Sequence, residues 1–170
     1  MVSVQANMDF VPGANPTAFR HAMGQFATGV TIVTTMNEDT PIGLTANSFT
    51  SVSLDPPLIL VCLGKSLGCL DAFCASSQFG VNVLQAEQKE TSTRFATKGT
   101  DRFSDLDWRL SNRSIPLISN ALANLECKKT AELDYGDHVI FIGEVEHATY
   151  DPSHEPLLYF GGQYRELRSA

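Results

Sequence analysis

Apolar and polar positions change period several times along the chain, and each change marks an element. In "NPTAFRHAMGQF", Phe19, Met23 and Phe26 recur at helical spacing. Asn15 is a good N-cap and Pro16 fits a first helical position, so the run predicts a helix. "VTIVTT" is β-branched and reads as a strand, followed by a polar turn at "NEDTP". "IGLTANSFTSVSL" has strand composition but is dotted with Gly, Asn and Ser, as if its backbone must bend or meet a ligand. "DPP" ends it before "LILVCL", a buried strand. Ser66 is placed to cap a second helix whose apolar stripe is Leu67, Leu70, Phe73 and Cys74. "FGVNVL" reads as a strand, "QAEQKETSTRFATKGT" as an exposed helix ending near Gly99, and "DRFSDLDWRLSNRSIPL" as a loop. "ALANLECKKTAEL" and "HVIFIGEVEHATY" predict two strands joined by the tight turn "DYGD", and "PLLYF" closes the set before "GGQYREL".

The pattern gives about six or seven strands and three short helices without regular β-α alternation, which argues for a mainly antiparallel sheet closed into a barrel and against a doubly wound parallel sheet. No repeat, linker or low-complexity tract interrupts it, so residues 1–170 are expected to form one domain with an N-terminal tail over 1–15. A chain of 170 residues that is 43% hydrophobic can bury a real core. Ten Phe and only 18% charged residues argue against disorder. The net charge of -7 carries no basic cluster, which disfavours nucleic acid and anionic lipid as partners. A local pocket can still be positive and take a phosphate. The N-terminus lacks a signal-peptide pattern, and the longest apolar run, "PPLILVCL", is far below the roughly 20 residues of a membrane span. Cys62, Cys69, Cys74 and Cys127 form no CxxC pair and no zinc spacing, so free thiols in the cytoplasm, with no metal, are expected.

Four places could carry chemistry. No GxGxxG follows a strand, and "LGKS" has Ile59 where a phosphate loop needs its first glycine. Lys65 and Ser66 nevertheless sit where a strand should meet a helix start, either as an ordinary cap with a solvated lysine or as a corner that holds a phosphate. In "LTANSFTSVSLDPP", alternation would put Thr45, Asn47, Phe49 and Ser51 on one face and Ala46, Ser48, Thr50 and Val52 on the other. Small polar groups on both faces suit a solvated edge strand or the rim of a planar heteroaromatic ligand. His138 opens a strand after the turn, and "YFGGQY" offers Tyr159, Phe160 and Tyr164 around Gly161 and Gly162; His138 is either a turn residue or a hydrogen-bond donor to a carboxamide or phosphate. His21, His147 and His154 read as surface or structural residues, and neither a serine triad nor a carboxylate pair is evident.

Taken in order, "FRHAMGQFATGVTIVTT", "GLTANSFTSVSLDPPLILVCL", "FGVNVL", "RFATKGTDRF" and "YGDHVIFIGEVE" resemble the short-chain flavin reductases of two-component flavin-dependent monooxygenases, including those of aromatic-ring hydroxylases. The resemblance implies an FMN-binding split β-barrel of Greek-key-like topology with a few short flanking helices, usually a homodimer. It implies an NAD(P)H:flavin oxidoreductase that uses NADH, or NADPH, to reduce FAD or FMN for a separate oxygenase. Flavin contacts are then expected at Thr45, Ala46, Asn47, Ser48, Phe49, Thr50, Ser51, Ser53 and Leu54, and at Cys62, Leu63, Lys65 and Ser66, with Lys65 as the phosphate cation. Arg94 and Phe95 would reach the phosphate side or an adenine. His138 is implied as a nicotinamide-nucleotide contact, with Tyr159, Phe160, Gly161, Gly162 and Tyr164 near the same pocket. No protein group is then a catalytic residue, because hydride transfer is borne by the two cofactors. Other readings are a non-enzymatic split-barrel module binding flavin or haem, and a pyridoxal-phosphate oxidase type of flavoenzyme, which the lack of a second Arg and Lys cluster disfavours.

Overall fold

The computed structural model describes residues 15–167, so the tail expected over 1–15 lies outside it except for Asn15. Helix α1 (Pro16–Met23) begins as its sequence demands. The Asn15 carboxamide accepts from the amides of Thr17 at 2.9 Å and Ala18 at 3.3 Å, satisfying two donors that a helix start leaves free. None of its residues is buried, and Phe19 and Met23, with Phe26 just beyond, stand 66%, 53% and 70% exposed. Strands β1 (Thr28–Gly29), β2 (Thr31–Asn37), β3 (Thr40–Ala46), β4 (Thr50–Leu54) and β5 (Pro57–Gly64) follow. Next come α2 (Leu70–Ala75), β6 (Gln78–Val83), a single 3-10 turn (Ala86–Gln88) and α3 (Lys89–Ala96). The chain ends in three hairpins: β7 (Trp108–Leu110) with β8 (Pro116–Ile118), β9 (Ala123–Tyr135) with β10 (His138–Tyr150), and β11 (Leu158–Phe160) with β12 (Gln163–Arg165).

Seven strands form one antiparallel sheet in the order β3-β2-β6-β9-β10-β5-β4. The order departs from the chain order because β6 crosses between β2 and β9, and β5 lies beside β10. Inward residues from both ends of the sheet share one core: Leu44 of β3 and Ile59, Val61 and Leu63 of β5 meet Val33, Phe79, Val81, Cys127 and Phe141. A sheet whose two ends pack into a common interior is curled on itself, giving the mainly β, antiparallel barrel with short helices that the pattern implied. Gly143 lets the coil tighten there, since a Cβ at that position would stand 2.6 Å from the Phe79 ring. A second core, with Val30, Ile32, Leu84, Phe95, Ile118 and Leu157, seats α3 and the β11–β12 hairpin on the barrel. No helix among the described residues is long and apolar enough to cross a membrane.

Five local expectations change. The "IGLTANSFTSVSL" segment is two strands, β3 and β4, with Asn47, Ser48 and Phe49 between them. The second helix starts at Leu70 rather than at Ser66, because two successive turns, Leu67 N–H to Gly64 O and Leu70 N–H to Leu67 O, precede it; Ser66 is therefore not its cap. The 3-10 turn and α3 end at Ala96 instead of near Gly99, and Ser92 and Phe95 are buried, so this helix is not simply exposed. "GGQYREL" holds β12, joined to β11 through Gly161 and Gly162 at φ 60° and 79°, the primed-turn conformation that glycine adopts without strain.

The loop expected over 101–117 contains the β7–β8 hairpin, held by tertiary contacts. Buried Asn82 accepts from Ile118 N–H and from the Asn124 amide, both at 2.8 Å, and donates to Ile32 O at 2.9 Å and Thr34 Oγ1 at 3.3 Å. Asn82→Ala would leave those partners unmatched in the interior, and a loss of about 2–4 kcal/mol is expected. Urea unfolding followed by circular dichroism checks this as a lower midpoint at unchanged slope.

Candidate functional site

The site begins where β3 stops. Ser48 Oγ donates to Cys62 O at 2.9 Å and accepts from Cys62 N–H at 3.1 Å, so one hydroxyl occupies the place of a backbone partner for β5. Asn47 and Phe49 are thereby carried off the sheet edge before β4 resumes pairing at Thr50. The face alternation expected through Thr45–Ser51 fails for this reason. Opposite this corner, the chain after α1 runs into β1, whose Thr28 pairs with Tyr159 of β11. The hairpin tip is tied to the end of α1 by Gly161 N–H donating to Gly24 O at 2.8 Å.

These elements enclose a cleft of about 1050 Å³ lined by Phe19, Met23, Phe26, Thr28, Asn47, Ser48, Phe49, Thr50, Tyr159, Gly161 and Gly162. Arg20 and His21 also line it, and Arg20 brings positive charge to an acidic chain. Aromatic walls with amide and hydroxyl groups along one edge suit a flat, acceptor-rich ring system. Thr28, which lines this wall, has its Oγ1 buried without a hydrogen-bond partner. The residues present therefore fit a flavin. The sequence had joined Asn47–Thr50 with one ligand and Tyr159, Gly161 and Gly162 with another, and the fold brings both sets to one cavity. It also adds α1 and residues 24–29, whose signal was the Phe19–Met23–Phe26 stripe, read only as a helix face.

A second cluster lies at the β9–β10 turn. His138 pairs with Gly64 across the sheet, and its Nδ1 is 2.7 Å from Asp137 Oδ1. That hydrogen bond holds the Asp137 carboxyl below the usual carboxylate range. Lys65 Nζ donates to Gly136 O at 2.8 Å and forms an ion pair with Asp134. Lys65 is thus committed to the His138 turn rather than free for a flavin phosphate, and Ser66 is exposed beside it without a helix N-terminus to support a phosphate site.

The remaining expected contacts have other positions. Leu63 and Phe95 are 0% and 1% exposed and belong to the two cores, so neither presents a surface to a ligand. Arg94 donates to Ser104 O at 2.6 Å and anchors the loop after α3. Thr45 Oγ1 donates to Ser92 O at 2.6 Å, tying β3 to α3, while Ala46 packs on the barrel core. Ser51, Ser53 and Leu54 lie on β4, with Leu54 94% exposed at the hairpin end, and none lines the cleft. Cys62 is half-buried, and burial pushes its thiol pKa up. Tyr164 hydrogen-bonds Ser92 Oγ at 2.8 Å and supports Tyr159 edge-on at 5.6 Å, so it stands behind the cleft wall. Phe160 is half-buried on the face of β11 opposite Tyr159. Among the described residues no group of three or more His, Cys, Asp or Glu side chains is arranged to hold a metal ion.

Comparison with known proteins gives the family and the fold. The flavin reductase like domain matches residues 23–168. The FMN reductase (NADH) SmoA of Agrobacterium fabrum is 45% identical over 156 residues, 91% of this chain and 88% of the relative. The reductase subunit HsaB of a Mycobacterium tuberculosis flavin-dependent monooxygenase is 41% identical over 152 residues, 88% of this chain and 81% of the relative. Among solved structures, the NADH:FAD oxidoreductase SgcE6 of Streptomyces globisporus, in complex with NAD and FAD fragments, superposes with a TM-score of 0.89 at 42% identity, covering 94% of this chain and 97% of that one. Sequence, barrel and cleft together make this chain a member of the flavin reductase family.

Proposed function

We propose that the chain is an NADH-dependent flavin reductase that reduces FAD or FMN and releases the product to a separate flavin-dependent monooxygenase acting in aromatic-compound degradation. The observation that carries this reading is the single cleft formed by the Asn47–Thr50 corner and the Tyr159–Gly162 hairpin. Flavin supplies the chemistry when bound, accepting a hydride from the reduced nicotinamide. The protein's part is to hold two flat rings in register and to exclude water. Phe49, Tyr159 and the aromatic side of α1 provide stacking surfaces, and Asn47, Thr50 and backbone amides at the β3–β4 corner address a polar ring edge. No general acid or base is required, which suits a site without a nucleophile–base pair. Arg20 and His21 take the phosphate role that Lys65 does not fill.

His138 at the β9–β10 turn is the nucleotide contact in this account. NADH is favoured over NADPH because that turn carries Asp134 and Asp137, and its one lysine is already paired. A 2′-phosphate would meet uncompensated negative charge there. The chain works in the cytoplasm, in keeping with its four free cysteines. Similarity to HsaB supports the monooxygenase as partner. A homodimer is supported by the exposed Phe19, Met23 and Phe26 and by Val52 and Leu54 on edge strand β4. Each large apolar side chain covered by a second copy would contribute up to about 1.5–3 kcal/mol before the cost of association.

Steady-state oxidation of NADH with FAD, FMN and riboflavin tests the reading; a chain that binds flavin yet oxidises no nucleotide would be a storage or sensor module instead. Within that assay His138→Ala is expected to raise the KM for NADH about tenfold and that for flavin less than twofold, an effect of lost hydrogen bonding. Equal rises for both would contradict the assignment. Ser48→Ala is expected to do the reverse, weakening flavin about tenfold, because the corner loses both of its hydrogen bonds to β5. Sedimentation should give twice the chain mass, and Phe19→Ser with Phe26→Ser should shift it to one; an unchanged sedimentation coefficient would remove α1 from the interface.

A further inference from the structure

Lys65, Asp134 and Asp137 surround His138 without lining the cleft, and nothing in the hydride transfer itself requires them. Three contacts converge on the turn between β9 and β10. Lys65 N–H donates to Asp137 O at 2.9 Å, and Lys65 Nζ donates to Gly136 O at 2.8 Å while pairing with Asp134. Both carbonyls of the two-residue turn are therefore held by one lysine from the end of β5. Gly136 has φ 58°, so the turn is of the kind that glycine makes readily, and its tip would otherwise be free to move. The Asp134 carboxylate keeps the ammonium over the turn. This pair is exposed, at 40% and 75%, and contributes little to folding stability. Its value is geometric.

The second element is the imidazole. A carboxylate can only accept, so Asp137 Oδ1 at 2.7 Å fixes the proton of neutral His138 on Nδ1. Nε2 then carries a lone pair. It points back over Gly64, where an added Cβ would lie 3.7 Å away, so the glycine leaves that end of the ring uncovered by any side chain of its own. An acceptor nitrogen at a fixed place is what the amide N–H of a carboxamide requires.

We infer that Asp137 and Lys65 are positioning residues for nucleotide binding: Asp137 selects the His138 tautomer that offers Nε2 as an acceptor to the nicotinamide carboxamide, and Lys65 locks the backbone of the turn that carries it. This rests on the reductase reading for its ligand, but the tautomer can be read without any ligand. The test has two arms. In the first, nitrogen–proton correlation spectra of the histidine-labelled, ligand-free protein, assigned with His138→Gln, should show neutral His138 protonated at Nδ1. Asp137→Ala should move that proton to Nε2, whereas Asp137→Asn, whose carbonyl still accepts, should retain it at Nδ1. In the second arm, Asp137→Ala and Lys65→Met should each raise the KM for NADH about fivefold, the size of one lost hydrogen bond, with kcat and flavin affinity within twofold. Asp137→Asn and Lys65→Arg should restore most of the loss.

A wild-type proton on Nε2, or a tautomer indifferent to Asp137→Ala, overturns the inference. So does an unchanged NADH KM in an active Asp137→Ala or Lys65→Met enzyme. If the wild-type protein oxidises no NADH while the tautomer behaves as described, the reductase reading has failed and with it the assignment of a carboxamide. The orienting role of Asp137 alone would then stand.

Discussion

A single serine hydroxyl, bonded twice to the backbone of Cys62, is the constraint on which the site depends. A strand that ran on unbroken from β3 would carry Asn47 and Phe49 on one face and Ser48 on the other. By substituting its side chain for a ladder partner, Ser48 lets the main chain step away from β5 for three residues without leaving Cys62 unpaired. The barrel stays closed on one side of the step, and a concave surface opens on the other. The local cost is small because the hydroxyl both donates and accepts, as the backbone pair would have done.

Around that corner the architecture separates holding from reacting. The barrel core fixes β5 and β10, and these in turn fix both ends of the candidate region: Cys62 beneath the Ser48 corner and Gly64 beside His138. Two residues of one strand therefore set the distance between the Ser48 corner and the His138 turn, through a rigid ladder rather than through loops. Desolvation pushes the Cys127 thiol up to about 12, which keeps it protonated and unreactive in the core. Chemistry carried by cofactors needs a frame of this kind, in which the polypeptide contributes shape and hydrogen-bond direction instead of a reactive group.

Much of the frame was legible in the residues. Asn15 and Pro16 announced α1 through capping chemistry alone, and the β-branched run and the "DYGD" turn marked β2, β9 and β10 through residue type and turn chemistry. The short strands β7, β8 and β12 were not legible: three residues carry no period, and their stability comes from Asn82, Tyr164 and other partners distant in the chain. The start of α2 is not where Ser66 suggests, because Ser66 has the right residue type for a cap while the backbone there makes two successive turns after Lys65 N–H bonds to Asp137 O of the His138 hairpin. For the same reason Lys65 looked like a phosphate ligand in sequence and is a turn clamp in the fold. Phe95, which the family resemblance implies at the phosphate side or an adenine, is 1% exposed, and its ring fills the space over Gly43. The stripe on α1 was seen but not understood, because a helix face that borders a cleft and one that borders a core share the same spacing.

The central claim is that the cleft between the Ser48 corner and the β11–β12 hairpin holds the two rings close enough for direct hydride transfer. An anaerobic single-turnover experiment addresses it most directly, with flavin pre-bound to the protein and reduced nucleotide mixed in while the visible flavin absorbance is followed. The account predicts bleaching in one turnover at a rate that saturates with NADH and is slowed when bulky groups are placed at Gly161 or Asn47. A bound flavin that bleaches no faster than free flavin in the same NADH solution would contradict it.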